Sequence, residues 1–128
     1  ARNSEKKSLF TTAERISHIE EAVGKNPRVT VDTFDGLLVD YVISKNAKVI
    51  LRGLRAVSDF EYEFQIAQMN HNLKDNIETL FMITSVPYGY LSSSIVKEVA
   101  SLQGEVESLV PPVIKKALEG KFGKAKKK

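Results

Sequence analysis

The 128-residue sequence has no cysteine. That excludes a disulfide framework, a thiolate zinc site and a thiol nucleophile among these residues. It suits a reducing compartment. No apolar run approaches the roughly 18 residues of a spanning helix. The opening ARNSEKKSLF has none of the apolar stretch of a signal peptide. The expected location is therefore the cytoplasm, with no membrane as partner. There is no G-x-G-x-x-G, no P-loop and no nucleophile elbow. The two histidines, His18 and His71, have no ligand spacing to each other or to an acidic cluster, so both read as structural or surface residues.

A basic surplus is present but local. Lys and Arg number 19 against 16 Asp and Glu, for a net charge of +3. Lys121, Lys124, Lys126, Lys127 and Lys128 supply five of those cations, and without them the balance is −2. A solvated basic tail over residues 121–128 is expected, with no nucleic acid as partner. The apolar fraction of 42% and charged fraction of 27% fit one folded domain, taken as residues 1–120.

Thr11-Thr12-Ala13-Glu14 reads as a capping box that opens a helix. Ala13, Ile16, Ile19 and Val23 follow at helical spacing, and Gly24 ends it. Arg28 to Phe34 alternates and is rich in Val and Thr, which predicts a strand. Gly36 to Ser44 predicts a helix with Leu37, Leu38, Tyr41 and Val42 on one face. Lys48 to Leu51 and Thr79 to Thr84 are short apolar runs suited to strands covered on both faces. Ser58 to Glu61 reads as a second capping box. The helix after it, through Leu73, carries two apolar stripes: Phe60, Phe64 and Ala67, and Tyr62, Ile66, Met69 and Leu73. One stripe suits the sheet and the other a partner subunit. Ser85 to Tyr90 is a loop, Ile95 to Gln103 a helix, and Val113 to Glu119 a last helix after Pro111-Pro112. This alternation predicts an α/β fold: a parallel sheet in three layers, with ligands outside the carboxyl ends of the strands.

Arg52-Gly53-Leu54-Arg55 follows one strand. Composition leaves two readings open: a phosphate-binding edge, or two arginines in surface salt bridges. Ser92-Ser93-Ser94 sits at a helix start, where N–H groups and hydroxyls favour an anion, although capping needs only one serine. Lys6-Lys7 reads as solvated or as part of the same edge. Glu61 serves the capping box. Glu63 has no evident structural duty, so a ribose hydroxyl is a candidate partner.

The longer strings carry a resemblance. ILRGLRAVSDFEYEFQIAQMN, YLSSSIVKEVA, SEKKSLFTTAER and FDGLLVDY resemble, in register from Ala1 to about Lys121, segments of bacterial phosphopantetheine adenylyltransferase. The resemblance implies a Rossmann-like parallel sheet of the nucleotidylyltransferase superfamily. It implies transfer of the adenylyl group of ATP to 4′-phosphopantetheine, giving dephospho-coenzyme A and pyrophosphate. Mg²⁺ as cofactor, a homohexamer and coenzyme A as inhibitor belong to the same expectation. By that resemblance Lys6, Leu38 and Arg52 face phosphopantetheine. Gly53, Leu54, Arg55 and Glu63 face ATP, with the loop Tyr88, Gly89, Tyr90, Leu91, Ser92, Ser93 and Ser94 over the nucleotide. The family also carries a strand–loop–helix segment with a T-x-G-H motif that has no counterpart here: His18 follows Ser17 and His71 follows Asn70. No catalytic residue is therefore identified within these 128. The motif is expected from outside them, and the chain alone is expected to be poorly folded or inactive. The alternative is a non-catalytic nucleotide- or pantetheine-binding module.

Overall fold

The computed structural model describes residues 8–55 and 57–124. Five helices and two strands run in the order α1 (Thr12–Val23), α2 (Leu38–Ser44), β1 (Val49–Leu54), α3 (Val57–Leu73), β2 (Glu78–Ile83), α4 (Ser93–Ser101) and α5 (Pro112–Phe122). A short 3₁₀ turn, Val86–Tyr88, lies between β2 and α4. The chain divides into two compact units. The described part of the first is residues 34–90 without 56; that of the second is residues 8–33 and 91–124.

In the first unit β1 and β2 pair in parallel, Val49 opposite Glu78 through Leu54 opposite Ile83. The parallel sheet is as expected, but its extent differs in three ways. The described residues hold two strands rather than three. Arg28 to Phe34 forms no ladder among the described residues: the Arg28 N–H donates to the Asn26 side chain, the Val29 N–H to the Asn26 carbonyl and the Thr33 N–H to Asp32 Oδ1. A Val- and Thr-rich alternation becomes a strand only beside a partner edge, and among the described residues none pairs with it. Finally, β1 continues through Arg52, Gly53 and Leu54, because β2 offers them Phe81, Met82 and Ile83 in register.

Alternation divides the sheet into two faces. Ile50 is buried and Thr79 and Phe81 are half-buried on the face that α3 covers, with Phe60 of α3 set edge-on to Phe81. Val49, Leu51, Leu80 and Met82 are exposed on the other face. The expectation of strands covered on both sides is thus corrected, and this unit has two layers. Its core is Val39, Val42, Ile50 and Ile77, with Leu38 packed at the margin. The buried face of α2 therefore runs through Val39 and Val42; Leu37 lies outside the helix and is exposed. Helix α3 begins at Val57, which puts Ser58 inside the first turn instead of before it. Its second stripe, Tyr62, Ile66, Met69 and Leu73, is exposed.

The second unit is helical. The Thr11 hydroxyl accepts from the Glu14 N–H, and the Glu14 carboxylate accepts from the Thr11 N–H at 2.7 Å, as the capping box requires. Gly24 ends α1 with φ of 65°, a value that favours glycine. Val96, Ala100, Val106 and Leu118 form the core, ringed by Leu9, Phe10, Leu91, Val99, Leu109, Val110, Ile114 and Phe122. Helix α5 runs on through Lys121, whose ammonium donates to Glu14 at 3.2 Å and lies over the Phe10 ring. The first lysine of the basic run is thus helical and paired. His18 is edge-on to Phe10, and its buried Nδ1 has no hydrogen-bond partner among the described residues. No helix among the described residues is long and apolar enough to cross a membrane.

Candidate functional site

The first unit gathers charge at the carboxyl end of β1. Parallel pairing carries Arg52 to the end of the strand on the face beneath α3, and Arg55 stands just past it. The Arg52 guanidinium donates Nε–H to Glu63 Oε2 and Nη2–H to Glu63 Oε1, both at 2.7 Å. Arg55 donates Nε–H to Asp59 Oδ2 at 3.0 Å, with Nη2 3.5 Å from Oδ1. Asp59 and Glu63 are four residues apart, so α3 presents both carboxylates on one face.

Glu63 thus has a structural partner, which corrects the expectation that it has none. In sequence Arg52 and Glu63 fall to different reactants; the fold joins them in a two-pronged ion pair. Asp59 went unremarked in sequence, although its four-residue spacing from Arg55 is the signal that could have found it. The hydrogen bond from Arg52 holds the Glu63 carboxyl below the ordinary carboxylate range, against the opposing effect of burial. The same bond raises Arg52 further above the usual guanidinium value.

Gly53 lies between these arginines, and a Cβ there would meet nothing within 4 Å. Its lack of a side chain answers no packing demand within the described chain, and by alternation it faces the open side of the sheet, opposite Arg52. Leu54 is half-buried, and its carbonyl accepts from the Thr84 N–H at 2.9 Å. Tyr88 ends the 3₁₀ turn and Gly89 follows it. A Cβ on Gly89 would sit 4.0 Å from the Arg55 carbonyl oxygen, so this turn lies beside the RGLR segment. Tyr88 and Tyr90 are exposed. Leu38 packs at the edge of the core.

The second unit holds the remaining candidates. Ser92 is the N-cap of α4, its Oγ accepting the Ile95 N–H at 3.1 Å. Ser93 and Ser94 are exposed in the first helical turn, so one serine caps and two hydroxyls face solvent at a helix N-terminus. Leu91 packs against the core. Lys6 lies outside the described residues.

Mg²⁺ is expected from the resemblance. Among the described residues no three His, Cys, Asp or Glu side chains converge on a metal position. The carboxylates beside the RGLR segment, Asp59 and Glu63, are each engaged by an arginine. These residues do not fit a metal cage.

The profile of the cytidylyltransferase-like family matches residues 1–99. The chain is 67% identical over 124 residues to a phosphopantetheine adenylyltransferase of Geotalea daltonii, covering 97% of this chain and 77% of that protein. It is 64% identical over 124 residues to the enzyme so named in Geobacter metallireducens, covering 97% of this chain and 76% of the other. With that of Geobacter sulfurreducens it shares 65% over 122 residues, 95% of this chain and 74% of the relative.

Proposed function

The chain belongs to the cytidylyltransferase-like family, among the phosphopantetheine adenylyltransferases, and from that premise we propose how its residues serve the transfer. The reaction moves the adenylyl group of ATP to 4′-phosphopantetheine. An oxygen of the 4′-phosphate forms a bond to the α-phosphorus, the bond from that phosphorus to the β-phosphate bridge breaks, and pyrophosphate leaves with the electron pair. Such a displacement needs no protein nucleophile. It needs two anionic reactants held in line and their charge offset by fixed cations and N–H groups.

One observation carries the assignment. The strand end of the first unit presents two ordered guanidiniums, each held by a carboxylate of α3. Arg52 takes the phosphate of 4′-phosphopantetheine, with Leu38 for the pantetheine arm. Arg55, Gly53 and Leu54 face the nucleotide, with Tyr88, Gly89 and Tyr90 beside them. By the family resemblance Lys6 also serves the acceptor, and Leu91, Ser92, Ser93 and Ser94 the nucleotide. Metal ions, where they take part, arrive on the nucleotide. The exposed stripe Tyr62, Ile66, Met69 and Leu73 supports a homo-oligomer, a hexamer by family. Coenzyme A, which shares the product's pantetheine and adenylate parts, competes at the same site. The absence of cysteine supports a cytoplasmic setting.

Calorimetry with ATP, beside a pyrophosphate-release assay on the full protein, tests this. Release that requires both ATP and 4′-phosphopantetheine is expected. ATP binding without release under any acceptor would replace the transferase with a binding module.

A further inference from the structure

Helix α3 sets two carboxylates one turn apart beside the strand end, Asp59 and Glu63. Like charges at that spacing repel: the hydrogen bond from Arg52 lowers the Glu63 carboxyl, and Asp59 opposes it. Glu63 falls to ATP by the family resemblance, whereas Asp59 has no place among the residues given to either reactant. A guanidinium can be gripped by its side edge, Nε and one Nη, or by its end edge, the two Nη groups. Asp59 takes Arg55 by the side edge: Oδ2 accepts from Nε at 3.0 Å, and Oδ1 lies 3.5 Å from Nη2. Both ends of this contact are placed by the fold. Arg55 follows directly on β1, whose Leu54 carbonyl is tied to the Thr84 N–H, and Asp59 lies in the first turn of α3. The Arg55 side chain is 42% exposed and that of Asp59 30%, so a ligand can reach the cation while the carboxylate holds it.

We propose that Asp59 is a positioning residue, which orients Arg55 toward the phosphates of the nucleotide. This role rests on the assignment of Arg55 to ATP. An unrestrained arginine past a strand end loses the freedom of several rotatable bonds each time it closes on a polyphosphate; the Asp59 contact removes part of that freedom beforehand. Charge alone argues the other way. A carboxylate beside a polyphosphate repels it, so an Asp59 acting only by its charge weakens ATP, and its removal tightens binding. A positioning Asp59 gives the opposite sign. An Asp59 serving only the positive N-terminus of α3 gives a third result, a lowered melt with binding unchanged.

The test measures Kd for ATP by calorimetry, and KM for each reactant, on the full protein with Asp59→Ala, Asp59→Asn, Arg55→Ala and the Arg55→Ala/Asp59→Ala double change. Asp59→Ala should weaken ATP about fivefold in Kd and KM, with the KM for 4′-phosphopantetheine within about twofold. Asp59→Asn should recover part of that loss, since its amide oxygen still accepts one N–H from Arg55. With Arg55 already replaced, Asp59→Ala should lower the Kd for ATP or leave it within about twofold. Tighter ATP binding in Asp59→Ala, a lowered melt with the Kd for ATP unchanged, or additive losses in the double change would overturn the proposal. Should Asp59→Ala not fold, the isosteric Asp59→Asn decides in its place: a loss on ATP that vanishes once Arg55 is replaced supports the role, and any other result overturns it. A wild type that binds ATP but releases no pyrophosphate defeats the transferase reading alone, and the Kd series still decides the role of Asp59. Wild-type affinity for ATP in Arg55→Ala overturns the assignment of Arg55 and the role of Asp59 with it.

Discussion

In residues 34–90 the strands leave one face open: Leu51, Leu80 and Met82 are more than half exposed, while Ile50 on the other face is buried on the side that α3 covers. In residues 8–33 and 91–124, α1, α4 and α5 close around Val96, Ala100, Val106 and Leu118, with eight further apolar side chains packed against that cluster. The two units also use charge differently. In the first, ion pairs order arginines at a strand end; in the second, Glu14 joins a helix cap to Lys121 of α5. A helical cluster satisfies its backbone internally and needs only side chains to close it. A strand needs an edge for its backbone and two covers for its faces. The contrast teaches that the unit with the ordered arginines is also the one with the thinner core.

The largest test of that contrast is truncation of buried against open leucines. Leu118 is 2% exposed and Leu80 54%. Leu118→Ala should cost about 2–5 kcal/mol by denaturant unfolding, and Leu80→Ala less than about 1 kcal/mol. Equal costs would show that the open face is covered in solution, which would break the comparison and sharpen the oligomer proposal. Next comes Arg52→Ala, expected to lower kcat/KM for 4′-phosphopantetheine about a hundredfold, or some 2.7 kcal/mol, with a smaller loss on ATP. An equal loss on both reactants would argue against its assignment.

Caps give a smaller effect. Ser92→Ala and Thr11→Ala should each cost about 1 kcal/mol, whereas Ser93→Ala should leave the melt unchanged and raise the KM for ATP. A melt lowered by Ser93→Ala would make that hydroxyl structural. The smallest effect is on acid stability. Arg52 holds the Glu63 carboxyl below its ordinary value, so the pair's contribution is whole above an unfolded value of about 4.3. It fades as the pH falls through the lower folded value. The Tm difference between wild type and Glu63→Gln should therefore be largest near neutral pH and shrink below about pH 4. A difference that does not change with pH would separate the carboxylate's charge from its role.

Local signals were legible in the residues. The Thr11–Glu14 box, the Gly24 stop, the Ser92 cap and the Pro111-Pro112 start of α5 each involve partners within a few residues, and the fold contains all four. So was the parallel pairing of two short apolar runs. The strand expected at Arg28 to Phe34 was not, because β-structure is a property of pairs and no described residue pairs with it. The two readings of RGLR, phosphate edge or salt bridges, could not be separated by composition. The fold makes them compatible: the side edge of Arg52 lies in an ion pair and its end edge is open. Arg52 and Glu63 are eleven residues apart, beyond the reach of helix periodicity, and only the register of β1 on β2 beneath α3 brings them together.

The sequence by itself determined the helices, their ends, the parallel α/β character and, through long matching strings, the chemistry. Those are set by neighbours along the chain or by inherited pattern. Tertiary structure alone decided how far β1 runs, which strand face is covered and which carboxylate holds which arginine. Each of these depends on where two distant stretches of backbone meet, and sequence distance carries no record of that.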